Sequence, residues 1–149
     1  MRTAGNLEPA TAEEIHDIYD ALAVPAKEIV HDITVALDFD RAEYNTRVDQ
    51  RVITRARDAL FGTLLRIQTD SRDSFESMLE NQPYASYECI QEGSPNVDHI
   101  AWHVSPATET IVAASYQDHP EAAVATLRRI AWNELYTDIL HAEAVATED

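Results

Sequence analysis

The chain has 149 residues, 27 Asp and Glu against 11 Lys and Arg, and a formal net charge of −16 at pH 7. That length suits one domain, 1–149, with a core of its own, and an apolar share of 45% separates it from disordered acidic chains. The charge argues against non-specific binding to nucleic acid or to anionic membranes, whose phosphates it repels.

The single cysteine, Cys89, excludes an intrachain disulfide and a cysteine-based zinc cluster. No stretch approaches the roughly 18 consecutive apolar residues of a membrane helix, and the opening MRTAGNLEP lacks the apolar run of a secretory leader. A cytoplasmic protein without membrane association is expected. No cofactor is expected either. Gly5, Gly62 and Gly93 are isolated, and there is no phosphate loop, G-x-S-x-G, C-x-x-C or H-E-x-x-H. The carboxylates are scattered, and of the eleven basic residues only Lys27 is lysine. That pattern fits a cytoplasm of molar salt, where the Debye length is about 3 Å and like charges barely repel, so a halophilic source is expected.

In chain order, residues 1–10 read as a loose lead-in to an ordered core over about 11–141, with 142–149 a loose tail. Thr11-Ala12-Glu13-Glu14 is a capping box that opens a helix over 12–22, with Ile15, Ile18, Tyr19 and Leu22 on one stripe. Pro25 opens a second helix, with Ala26, Ile29, Val30, Ile33 and Leu37 expected inward. Asp40-Arg41-Ala42-Glu43 begins a short helix to about Arg47. Asp49 caps a long one over 50–68, with Val52, Ile53, Ala56, Leu60, Leu64 and Ile67 along one stripe. Asp70 or Ser71 caps a short helix through Met78, with Phe75 and Leu79 packing, and Asn81-Gln82-Pro83 ends it.

Three strands follow: YASYECIQ (84–91), VDHIAWHV (97–104) and ETIVAASY (109–116), with turns at Glu92–Asn96 and Ser105–Thr108. Alternation places Asp98, Ile100, Trp102 and Val104 on one face and His99, Ala101 and His103 on the other. Ile111 joins the first face; Tyr87, Val112 and Ala114 are assigned to the second. Asp118-His119-Pro120-Glu121 then starts a long helix with Val124, Leu127, Ala131 and Leu135 inward. Arg128 falls inside that apolar arc, while Arg129, Asn133 and Thr137 fall opposite. The predicted fold is α+β: N-terminal helices, a three-stranded antiparallel meander, and a long C-terminal helix. The C-terminal helix is expected on one sheet face and part of the N-terminal helices on the other.

FDRAEY (39–44), ARDALF (56–61), VDHIAWHV (97–104) and AVATLRR (123–129) resemble a family of small uncharacterised haloarchaeal proteins, catalogued as a domain of unknown function. The resemblance covers about 10–140. It implies a haloarchaeal, cytoplasmic protein and carries no active site onto these positions.

Val97–Tyr136 holds both tryptophans and the Arg128-Arg129 pair, and is the first place to look for a site. His99 and His103 are spaced H-x-x-x-H, a metal half-site on a helix. On a strand that spacing spans about 13 Å, too far to share one ion, so no metal is expected. Cys89 lies opposite His99 if Gln91 pairs with Val97, which would make a thiol–imidazole dyad. A one-residue slip separates them, and a buried inert cysteine is the ordinary case. Arg128 needs a carboxylate or water, and Asp98, on the face of Trp102, is the expected partner. The ordinary reading is a structural ion pair; the functional one is an anion or partner site. Arg41, Arg47, Arg51, Arg55 and Arg57 form a basic region diluted by Asp40, Glu43, Asp49 and Asp58. It reads as a salt-bridged helix face or, alternatively, a docking surface.

The favoured reading is a small cytoplasmic binding or regulatory module of a halophilic archaeon, acting without catalysis, with Arg128, Trp102, Asp98, Arg51 and Arg55 as binding residues. A protein partner or a homo-oligomer is possible and nucleic acid disfavoured. The alternatives are a nucleic-acid-associated regulator using the 41–57 arginine region and a small enzyme using Cys89, His99 or His103.

Overall fold

The computed structural model describes the backbone of residues 1–146 and the side chains of residues 1–141. Four helices fill the first half: α1 (Ala12–Ala21), α2 (Ala23–Ala36), α3 (Arg41–Arg47) and α4 (Gln50–Leu64). Three of them start at the capping residues expected, whereas α2 starts at Ala23, two residues before the Pro25 expected to open it, with no side-chain cap at Leu22. Thr11 accepts from the Glu14 amide, Asp40 from Glu43 and Asp49 from Val52, so each satisfies a donor the helix leaves open.

The helix expected over 50–68 ends at Leu64, because Leu65 turns to an extended backbone (ψ 136°). Ile67–Ser71 is a strand, β2, preceded in the sheet by β1 (Arg2–Ala4), so the lead-in segment supplies an edge strand. Ile67 and Thr69 are buried with half-buried residues between them, a period of two that the stripe through Leu64 and Ile67 disguises as helical. Ser71 both ends β2 and caps α5 (Arg72–Leu79).

A single 3-10 turn, Tyr84–Ser86, leads to β3 (Glu88–Glu92), followed by β4 (His99–Ser105) and β5 (Thr110–Tyr116). The sheet has five strands in the order β1-β2-β4-β5-β3 and is mixed, not a three-stranded antiparallel meander. β4 and β5 form the expected hairpin. β3 does not pair with β4: that edge is taken by β2, and β3 lies parallel to β5 on its far side.

The strand faces of β4 and β5 are those the alternation predicts, but their covers differ. Ile100, Trp102, Val104, Ile111 and Ala113 pack under Phe75 of α5, with Met78, Tyr84, Tyr87 and Cys89 around them. Tyr87 therefore belongs to this face, opposite to the one expected. The other face, through Ala101, Val112 and Ala114, packs against Ile15, Tyr19, Phe61, Leu127, Ala131, Leu135 and Tyr136. N-terminal and C-terminal helices share that one face, rather than taking one face each. The cause is local: β2 runs straight into α5, which folds back over the Trp102 side and leaves the other side for everything else.

The C-terminal helix is α6 (Pro120–Ala131), a π-helical turn (Trp132–Tyr136) and α7 (Thr137–Ala146). Pro120 opens it behind His119, so Asp118 stands one place too early to cap. α7 extends into the tail expected to be loose, and 147–149 lie outside the described residues. α2 buries only Ala26, Val30 and Thr34. Ile29, Ile33 and Leu37, expected inward, are 40%, 53% and 62% exposed.

A cleft between α4 and α6

Ala125, Arg128, Arg129 and Trp132 recur at i, i+3, i+4 and i+7, so α6 and the π-helical turn present them on one side. Across from them α4 presents Asp58, Ala59, Gly62 and Thr63. These eight residues line a cleft of about 260 Å³. Arg129, expected on the side opposite Arg128, shares the cleft with it.

Arg128 is half-buried, and burial pushes its guanidinium below its usual range. Its Nε and Nη2 donate to the Leu65 carbonyl at 3.3 and 3.1 Å, satisfying an acceptor that the end of α4 leaves open. Gly5 lets the N-terminal segment pass close by. A Cβ there would lie 2.8 Å from Arg128 Nη2 and 2.9 Å from the Leu64 carbonyl oxygen. Asp98 is not the partner of Arg128. It sits exposed just before β4, with the parity of Trp102, and α6 covers the opposite face.

Asp58 is held from two sides, by the Tyr19 hydroxyl donating at 2.6 Å and by His141 Nε2 at 3.3 Å. Burial and the Asp58 carboxylate both raise the Tyr19 pKa, so Tyr19 stays protonated. Arg57 lies 3.9 Å above the Tyr19 ring and donates to the Tyr19 carbonyl. Trp132 packs edge-on against Phe61, 5.6 Å between centroids, and stacks on Tyr19. The cleft thus has a rigid aromatic wall, two guanidinium groups and a carboxylate already engaged by donors.

Gly62 forms the floor. An added Cβ would find nothing within 4 Å, so no neighbour requires glycine there. A glycine inside a helix costs about 0.5–1 kcal/mol relative to alanine. Gly62, Asp58, Thr63, Arg129 and Trp132 were missed by sequence reasoning; the one available signal was an isolated glycine inside a helical stripe.

The other expected site residues are dispersed. Cys89 faces Ile111 on β5, on the Trp102 side, while His99 lies on β4 with the opposite parity, so no dyad forms. Burial pushes the Cys89 thiol up. His99 is exposed and stacks on Tyr116, 5.5 Å between centroids. His103 is fully buried, with its ring nitrogens on the Arg66 carbonyl and the Tyr136 hydroxyl. Both nitrogens are occupied, leaving no lone pair for a metal. Among the described residues no group of three His, Cys, Asp or Glu converges on a metal position. Trp102 is buried, and its indole nitrogen has no hydrogen-bond partner.

The arginines of 41–57 also part company. Arg57 is turned onto Tyr19, Arg47 lies over the Phe39 ring at 5.4 Å, and Arg51 meets Asp49 at 3.4 Å. Arg41 and Arg55 are exposed.

The model of a family of unknown function, DUF5809, matches residues 6–137. The chain belongs to that family. Comparison with curated proteins gives no match, and comparison with solved structures gives none. Among the described residues no helix is long and apolar enough to cross a membrane.

Proposed function

We propose that the chain is a binding module for a small organic anion, serving regulation rather than catalysis in the cytoplasm of a halophilic archaeon. The observation that carries this reading is the pair Arg128 and Arg129 lining one cleft with Trp132, on a chain whose net charge is −16. Two guanidinium groups suit a carboxylate or phosphate, and the indole wall suits a flat apolar body. A volume of about 260 Å³ restricts the ligand to a small molecule. Gly62 supports the reading further, since its missing methyl keeps the floor open where packing makes no such demand. The cleft pairs no nucleophile with a base: Thr63 is exposed, and its hydroxyl donates to the Ala59 carbonyl.

The test is titration with aliphatic and aromatic carboxylates and with phosphate esters in molar KCl, read by calorimetry and tryptophan fluorescence. Saturable binding is expected, weakened at least about tenfold by Arg129→Ala and by Gly62→Ala. Gly62→Ala should leave the melting temperature equal or higher. Equal binding by wild type and Gly62→Ala would place any ligand elsewhere and sink the proposal.

A further inference from the structure

Helices α2 and α4 form a hairpin whose outer side is apolar and uncovered. α2 turns Ala26, Val30 and Thr34 toward α4. Ile29 and Ile33 stand beside that stripe, with Leu37 one turn on, all exposed. On α4, Val52 is 37% exposed, and Ala56 and Leu60 follow at helical spacing, half-buried. In an antiparallel pair both flanks fall on the same side, so these residues make one face of the hairpin. Val24 and Val35 lie on the other side of α2, next to His31 and Tyr44.

The charges around that face are unequal. On α2, Asp32 stands one helical step from Ile29 at the outer edge of the exposed stripe, while Glu28 and Lys27 lie farther round, beside Val24 and His31. On α4, a shallow recess is lined by Val52, Arg55, Arg51 and the Asp49 carboxylate that Arg51 meets, so Arg55 is the cation left to face outward there. One hairpin therefore shows an acidic helix edge beside a basic one, although the chain as a whole is strongly acidic.

We propose that this face is the contact between two copies of the chain. Two two-fold arrangements bring the faces together. One sets α2 on the partner's α2, placing acids against acids. The other sets α2 on the partner's α4, placing Asp32 beside the partner's Arg55. The charges select the second, an isologous four-helix contact in which each exposed isoleucine meets the partner's Val52 side. A different acidic protein would meet the basic edge but oppose the acidic one. A second copy satisfies both.

Light scattering and sedimentation equilibrium on the full chain in 2 M KCl test this. The expected mass is twice the 16.7 kDa of one chain. Ile33→Asp should give a monomer with the far-ultraviolet circular dichroism spectrum of the wild type, since Ile33 is already 53% exposed, and a melting temperature lowered only by the loss of association. Asp32→Arg and Arg55→Glu, each alone, should weaken the dimer at least about tenfold at the lowest salt that preserves the fold. Mixing the two variants should restore it, because each contact then joins opposite charges. A wild type that stays monomeric at millimolar concentration overturns the proposal. So does a dimer that survives Ile33→Asp, or a charge-swapped mixture that fails to recover.

Discussion

His103 Nε2 lies 2.5 Å from the Tyr136 hydroxyl, in the buried layer between β4 and the π-helical turn. The Arg66 carbonyl accepts from Nδ1–H at 2.8 Å, which fixes the tautomer and leaves Nε2 to accept from Tyr136. Burial pushes the imidazole from 6.5 down to about 4, and the Arg128 charge acts in the same direction. Between those values the unfolded chain takes up a proton that the folded one refuses, so stability rises with pH across the window. It is complete above about pH 6.5 and falls as the pH drops toward 4, by on the order of 3 kcal/mol. Melts between pH 7.5 and 4.5 in constant molar salt should show this fall, and His103→Gln should flatten it. Tyr136→Phe leaves Nε2 without a donor and should cost about 1–3 kcal/mol.

Two glycines should respond oppositely to the same substitution. Gly5 has φ of 75° and no room for a Cβ, so Gly5→Ala should destabilise by about 1–3 kcal/mol and disturb Arg128. Gly62 faces open space inside α4, so Gly62→Ala should stabilise by about 0.5–1 kcal/mol. Denaturant titrations of both variants measure the difference directly.

Trp102 should tolerate phenylalanine. Its buried indole N–H has no partner, a state that costs about 1–3 kcal/mol. Removing that donor offsets much of the lost packing against Phe75, so Trp102→Phe should change stability by no more than about 1 kcal/mol. Trp102→Ala, which keeps neither, should cost about 3–5 kcal/mol. Urea unfolding of the two variants separates the contributions.

Salt should stabilise the fold. At about 0.01 M the Debye length is about 30 Å, comparable to a small domain, and at about 1 M it is about 3 Å. The folded state gathers a net charge of −16, so its self-repulsion is strongest when screening is weakest. The melting temperature is expected to be well below its 2 M KCl value at 0.05 M. At low salt, protonating carboxylates near pH 4.5 should recover part of the loss, against the penalty from His103. Equal midpoints at the two salt concentrations would remove the basis for a halophilic reading.

Local chemistry was legible in the sequence. Thr11, Asp40 and Asp49 cap helices where a short polar side chain stands before an apolar repeat, because capping needs only neighbours within a turn. The alternation in His99–Ser105 assigned the faces of β4 for the same reason: side-chain parity belongs to the strand itself. Net charge and the absence of recognised catalytic motifs are likewise properties of the chain alone. Only the tertiary structure decided which edges meet. Ile67–Ser71 is a strand because β1 and β4 pair with it on either side, and once β2 occupies that edge of β4, β3 must pass to β5. That displacement separates Cys89 from His99. Arg128 found the Leu65 carbonyl instead of Asp98 because two residues on opposite sheet faces cannot meet, whatever their charges. The cleft itself joins Gly62 to Arg129 across two helices far apart in the chain, a proximity made by packing against the sheet that no periodicity within either helix encodes.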